Sequence, residues 1–215
     1  GRVMAPRIQV PGAEQPIRLD EVRITIEITG GFAYTQVEMT FFNPNPRVFE
    51  GELQFPLLHG QNVIGFALDV NGHMREASSV PKARGQEAFE EIARRGVDPG
   101  LLQVTQGNNF KLRVYPLFAR GKRIVHVRYI ESLAGRGAGQ VFRLPVEYGA
   151  DIRSFSVSIV ARAAERAPAV VAGLPAGAGF RREGDDYVLG FERQDYTPKG
   201  MVEVAGAHYF VAEVR

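Results

Sequence analysis

Apolar and polar residues alternate with a period of two along most of this chain. Val22, Ile24, Ile26 and Ile28 share one parity, and Arg23, Thr25 and Glu27 hold the other. A strand over about 16–29 would therefore carry its apolar set on one face. Ile17 and Leu19 fall on the opposite parity. The flip near Asp20-Glu21 predicts a bulge or kink. Gly30-Gly31 can supply positive φ for a tight hairpin. The next strand places Ala33, Val37, Met39 and Phe41 against Tyr34, Gln36, Glu38 and Thr40. Asn43-Pro44-Asn45-Pro46 must break the ladder, because each proline lacks an N–H donor. Strands are predicted to resume at about 48–55 and 62–70, with Asn71-Gly72 as a hairpin turn.

The period changes once. From about Pro81 to Arg95, Ala88, Phe89, Ile92 and Ala93 recur at one-face helical spacing. Pro81 suits a first turn, and Glu90 with Arg94 and Glu91 with Arg95 make favourable i,i+4 pairs. Gly96 and Asp98-Pro99-Gly100 end the helix. Alternation returns at about 101–105, 110–115, 122–130, 141–147, 152–161, 186–193 and 207–214, while 163–180 reads as short strands with loops. The fold class is mainly β: an antiparallel β-sandwich with one inserted α-helix and a C-terminal β-rich extension. The predicted organisation is an N-terminal arm (1–15), a β-sandwich domain (16–133), a Gly-rich linker (134–140) and a β-rich connector (141–215).

Composition narrows the function classes. The chain has 215 residues, enough for a real core. Its net charge is only +2, with Lys and Arg scattered among Asp and Glu, so no basic stripe marks a nucleic-acid surface. There is no cysteine, which excludes disulfides and thiolate chemistry. No apolar run approaches the roughly 20 residues of a membrane-spanning helix. Abundant Ala, Gly and Arg point to a GC-rich bacterial source.

Candidate chemistry is sparse. His59, His73, His126 and His208 show no metal-ligand spacing, and no GxSxG elbow accompanies the serines. Ser154, Ser156 and Ser158 alternate as the solvent face of a half-buried strand. Ser78-Ser79 precede the helix. Glu90-Glu91 face arginines, and Asp185-Asp186 sit at a hairpin tip where calcium would want more converging oxygens. Gly135-Arg136-Gly137-Ala138-Gly139-Gln140 reads as a linker, since it lacks the phosphate-loop Lys and strand–turn–helix context. No catalytic, cofactor-binding or metal residues are assigned. Exposed aromatics are the candidates for a contact surface, and Tyr34, Phe42 and Tyr115 are those named, though each also fits a core.

One ordered series of motifs spans residues 41–130. It runs through Phe41-Phe42-Asn43-Pro44-Asn45-Pro46 and Phe49-Glu50-Gly51-Glu52-Leu53-Gln54-Phe55-Pro56-Leu57. Val63-Ile64-Gly65-Phe66-Ala67-Leu68 and the helical segment from Lys82 follow. Gly96-Val97-Asp98-Pro99-Gly100-Leu101-Leu102 and Gly107-Asn108-Asn109-Phe110-Lys111-Leu112-Arg113-Val114-Tyr115-Pro116 close it. Over about 16–133 the chain resembles the VIT domain, the vault protein and inter-alpha-trypsin inhibitor heavy chain module. Each motif has a structural reading. Asn43 and the prolines form a rigid turn, and Gly51 within a strand predicts a bulge or close backbone approach.

The resemblance implies a non-enzymatic interaction or scaffold module without a cofactor, commonly placed before a von Willebrand factor A domain. Gly1 suggests a processed fragment, and strand-like Tyr209–Arg215 suggests a cut just upstream of that domain. The expected setting is a larger periplasmic or cell-surface protein making protein–protein or matrix contacts. Two alternatives stand beside it. One is a carbohydrate-binding β-sandwich, which would want an exposed aromatic platform. The other is a hydrolase with a dispersed site, such as His59 or His126 near an Asp.

Overall fold

Burial along Arg18–Thr29 alternates as the sequence pattern demands: Val22, Ile24, Ile26 and Ile28 are no more than 2% exposed, whereas Arg23 and Thr25 face solvent. Removing each such aliphatic side chain from water contributes about 2 kcal/mol. This computed structural model describes residues 5–29, 31–77, 102–104, 109–133, 140–164 and 166–206. The strands are β1 (Arg7–Gln9), β2 (Arg18–Thr29), β3 (Phe32–Phe42), β4 (Phe49–Pro56), β5 (Asn62–Val70), β6 (His73–Ala77), β7 (Leu102–Val104) and β8 (Asn109–Leu117). They continue with β9 (Lys122–Ser132), β10 (Gln140–Pro145), β11 (Ile152–Ala161), β12 (Ala169–Ala172), β13 (Arg181–Glu183), β14 (Asp186–Tyr196) and β15 (Met201–Gly206).

The protein is mainly β, with three sheets among the described residues. Eight strands run in the order β13-β14-β11-β2-β3-β9-β5-β6, four in the order β1-β4-β8-β7, and three in the order β10-β15-β12. Ring contacts join the inner faces: Phe66 with Phe110 at 6.0 Å, Phe55 with Tyr129 at 6.1 Å, and Tyr148 with Phe155 at 6.1 Å. Residues of all three sheets share one apolar core.

One pairing departs from the antiparallel expectation. β11 lies parallel to β2, setting Phe155, Val157, Ile159 and Ala161 opposite Val22, Ile24, Ile26 and Ile28. The match of apolar sets at period two selects this register, because a one-residue slip would turn the whole set to solvent. The strand sides that would otherwise be an edge of β2 are thus covered by the C-terminal half. The edge strand β13 is short, charged and exposed, a form that resists edge-to-edge association.

The predicted bulge is present: the β2–β3 register shifts between Leu19 and Glu21, leaving Asp20 as the extra residue. Asn71 (φ 51°) and Gly72 (φ 79°) form the expected tight turn between β5 and β6. The predicted helix (about 81–95), residues 134–139 of the predicted linker and the predicted strand at 207–214 lie outside the described residues. β1 and β15 carried no sequence prediction.

Candidate functional site

The described motif residues Asn43, Asn45 and Gly51 are engaged in building the fold. Asn43 and Asn45 are each 1% exposed. Asn43 Nδ2 donates to the carbonyls of Arg47 (2.9 Å), Leu117 (3.2 Å) and Phe118 (3.1 Å), tying the turn after β3 to the turn after β8. Asn45 Nδ2 donates to Gln15 O at 2.8 Å, and Gln15 N–H returns a bond to Asn45 Oδ1 at 2.9 Å. The flanking prolines have no N–H to satisfy, so a buried turn of this kind loses little by containing them. Gly51 lies at a register shift in the β4–β8 pair, and a Cβ there would stand 2.5 Å from Ile8 Cγ2. Only glycine lets β1 close over β4.

Two further buried polar groups hold strands together. Arg123, 5% exposed, donates through Nε to Asp69 Oδ1 (2.7 Å), through Nη2 to Asp69 O (2.9 Å) and through Nη1 to Pro116 O (2.8 Å). Gln61 Nε2 donates to Glu131 Oε2 at 2.8 Å, and Leu58 N–H donates to Gln61 Oε1 at 2.8 Å. Tyr129 lies one pleat away from Glu131. Burial, and then the Glu131 charge, push its phenol well above the usual range. Opposite it, the buried Thr35 hydroxyl has no hydrogen-bond partner among the described residues, although its nearness to Tyr129 opposes part of that rise.

The open feature is a groove of about 1150 Å³. β11 pairs with β2 only from Glu21 onward, so among the described residues Arg18–Asp20 pairs with β3 alone. A bulge bends its strand, which accounts for a fork between β2 and β11 where Asp20 interrupts the register. Ile17, Arg18 and Leu19 line one side of the groove and Ala150, Asp151 and Ile152 the other. Tyr148 and Met201 come from the ends of the three-stranded sheet, and Arg7 from β1. Arg18 is steered by two bonds to Asp20, at 2.5 and 3.2 Å, and its guanidinium lies 4.7 Å over the Phe42 ring. Hydrogen bonding to Asp20 raises the Arg18 pKa further. Thr197 donates to Asp151. Burial pushes the Tyr148 phenol up. A small second cavity of about 30 Å³, lined by Gln61, Tyr129, Glu147 and Tyr148 among others, lies where the three sheets meet.

The sequence-named residues do not gather there. Tyr34 is 39% exposed on the outer face of β3, and Tyr115 is 51% exposed on β8. Phe42 is half-buried beneath Arg18. His126 Nε2 lies 2.7 Å from Glu38 Oε2 on the outer face of the large sheet, and His59 is exposed in a turn. Ser154 and Ser156 are half-buried and Ser158 exposed, as a solvent face requires. Asp186 accepts from Ala163 N–H and Arg162 Nη1, each at 3.0 Å; both hold its carboxyl below the usual range. Among the described residues, no group of three or more His, Asp or Glu has metal-binding geometry. Ser78-Ser79, Glu90-Glu91 and His208 lie outside the described residues. The groove itself was missed, although the parity flip at Asp20 was its signal.

Comparison with known proteins places the family. The vault protein inter-alpha-trypsin domain (VIT) matches residues 19–129, just over half of the sequence, and the chain belongs to that family. No curated protein matches the sequence. Among solved structures, a Legionella pneumophila protein described as nutrient binding is similar at 12% identity and a TM-score of 0.56, covering 95% of this chain and 70% of that one. An M1 zinc metallopeptidase from Deinococcus radiodurans, solved with a Tyr-Ser-Ala substrate, is similar at 12% identity and a TM-score of 0.50. That likeness covers 90% of this chain but 43% of the peptidase. At these identities the likeness concerns the fold alone.

Proposed function

We propose that this chain is a non-catalytic interaction module, a layered β-sandwich scaffold within a larger exported or cell-envelope protein. Its task is to hold another polypeptide, next to a von Willebrand factor A domain elsewhere in the same gene product. The observation that carries this reading is the open fork groove, set beside motif residues whose polar atoms are already engaged internally. A catalytic site needs polar groups free to act on a substrate. Asn43, Asn45, Asp69, Arg123 and Gln61 instead satisfy buried backbone and side chains of the fold. The connector at 141–215 belongs to the same reading, as the part that sets the module against its neighbour.

Two measurements test it. The full-length gene should encode an A domain with a DxSxS metal motif; a gene without one ends the proposed setting. The chain should also associate with the separately produced remainder of that gene product in sedimentation velocity. Turnover of ester, glycoside or peptide substrates by the isolated chain would refute the non-catalytic assignment.

A further inference from the structure

The groove has the properties of a strand acceptor. Over Arg18–Asp20 the side of β2 facing away from β3 has no strand partner among the described residues. Three residues of strand offer about 10 Å of ladder. Backbone groups on an open edge are templates for another chain. Alternate side chains of an added strand enter adjoining pockets while its main chain supplies the bonds. Ile17, Leu19, Phe41, Tyr148, Ile152 and Met201 provide the apolar lining. The volume, about 1150 Å³, lies above the roughly 300–1,000 Å³ of small-molecule sites, and suits a length of polypeptide.

Charge selects the occupant further. Glu147 is exposed on the groove wall and has no ion pair among the described residues. The other carboxylates nearby are engaged: Asp20 by Arg18, and Asp151 by Thr197. On the opposite wall Arg7 bonds, among the described residues, a neutral amide, Gln54 Oε1, at 3.1 Å. We infer that the fork between β2 and β11 binds an extended peptide segment that continues the sheet along Arg18–Asp20. It would set apolar side chains at alternate positions into the groove and a lysine or arginine against Glu147. This rests on the interaction reading above and names the partner's chemistry.

The test uses the whole 215-residue chain and a phage-displayed library of random nine-residue peptides, with selected sequences then made synthetically. The expected result is a set of sequences with alternating apolar residues and one basic residue. Binding should slow amide hydrogen exchange at residues 17–20. Glu147→Arg should weaken it at least tenfold, and exchanging the peptide's basic residue for Glu should restore it. N-methylation at alternate peptide positions should weaken it at least tenfold, while methylation at the intervening positions should not. Peptides that bind but protect other residues, or that ignore both Glu147 and N-methylation, overturn the groove assignment and leave the interaction reading standing. A library with no binder, alongside association with the remainder of the gene product, overturns peptide capture alone. Absence of both removes both readings.

Discussion

Asn45 donates twice to one atom of Asn43: its backbone N–H and its Nδ2 each lie 3.0 Å from Asn43 Oδ1. The pair is buried, and its remaining polar atoms reach three further segments, so the loss of either amide strands several groups at once. Asn43→Ala should lower stability by about 3 kcal/mol, the cost of buried carbonyls left without donors. Asn43→Asp should be worse, because it keeps the shape and sets a carboxylate oxygen against three carbonyls. Urea unfolding followed by circular dichroism measures both.

Asp69 and Arg123 form an enclosed ion pair, with side chains 23% and 5% exposed. Asp69→Ala leaves a buried guanidinium with only two carbonyl acceptors, and should cost about 3–5 kcal/mol. The double variant Asp69→Ala, Arg123→Met should recover much of that loss. A double-mutant cycle on unfolding free energies tests it, and additive losses would contradict the paired role.

Gly51 admits the N-terminal arm. Gly51→Val would drive methyl groups into Ile8, Leu117 and Val10, which already stand 2.5, 2.9 and 3.0 Å from a single Cβ. The expected outcome is detachment of β1, read as faster proteolysis before residue 15, with the eight-stranded sheet retaining its exchange protection. Equal loss of protection throughout would contradict it.

Tyr129 and Tyr148 both have phenols raised by burial. A raised folded pKa means the protonated form is favoured in the folded state. Stability from these groups is present below the unfolded value of about 10 and falls as pH rises beyond it. Absorbance at 295 nm should show a late-ionising phase to which Tyr129 and Tyr148 contribute. Tyr129→Phe and Tyr148→Phe should each reduce that late phase.

The local features were legible because they are local. The parity flip before Val22 marked the Asp20 bulge, Asn71-Gly72 marked a hairpin, and Gly51 marked a close approach. The neighbour of β2 was not legible. Ser154, Ser156 and Ser158 disclose which face of β11 is wet, but a period-two pattern is blind to the strand beside it and to its direction. The groove arises from that non-local pairing: it opens where β11 ceases to follow β2. Glu147, Tyr148 and Asp151 become groove residues only through it. Aromatic character alone pointed to Tyr34, Phe42 and Tyr115: the fold exposes Tyr34 and Tyr115 outside the groove lining and packs Phe42 beneath Arg18, which lines it.

Buried polar residues such as Asn43 and Asp69 hold the fold, and the fork groove is the proposed binding site. A paired reading of unfolding midpoint and peptide affinity across Asn43→Ala, Asp69→Ala, Leu19→Asp and Glu147→Arg tests that division most directly. The first two should lower the midpoint and, at temperatures where the protein stays folded, bind normally. Glu147→Arg should keep the midpoint within a few degrees, Leu19→Asp should lower it because Leu19 packs against the core, and both should lose at least tenfold in affinity where they stay folded. Loss of affinity in Asn43→Ala with an unchanged midpoint, or normal binding by Leu19→Asp and Glu147→Arg, would contradict it.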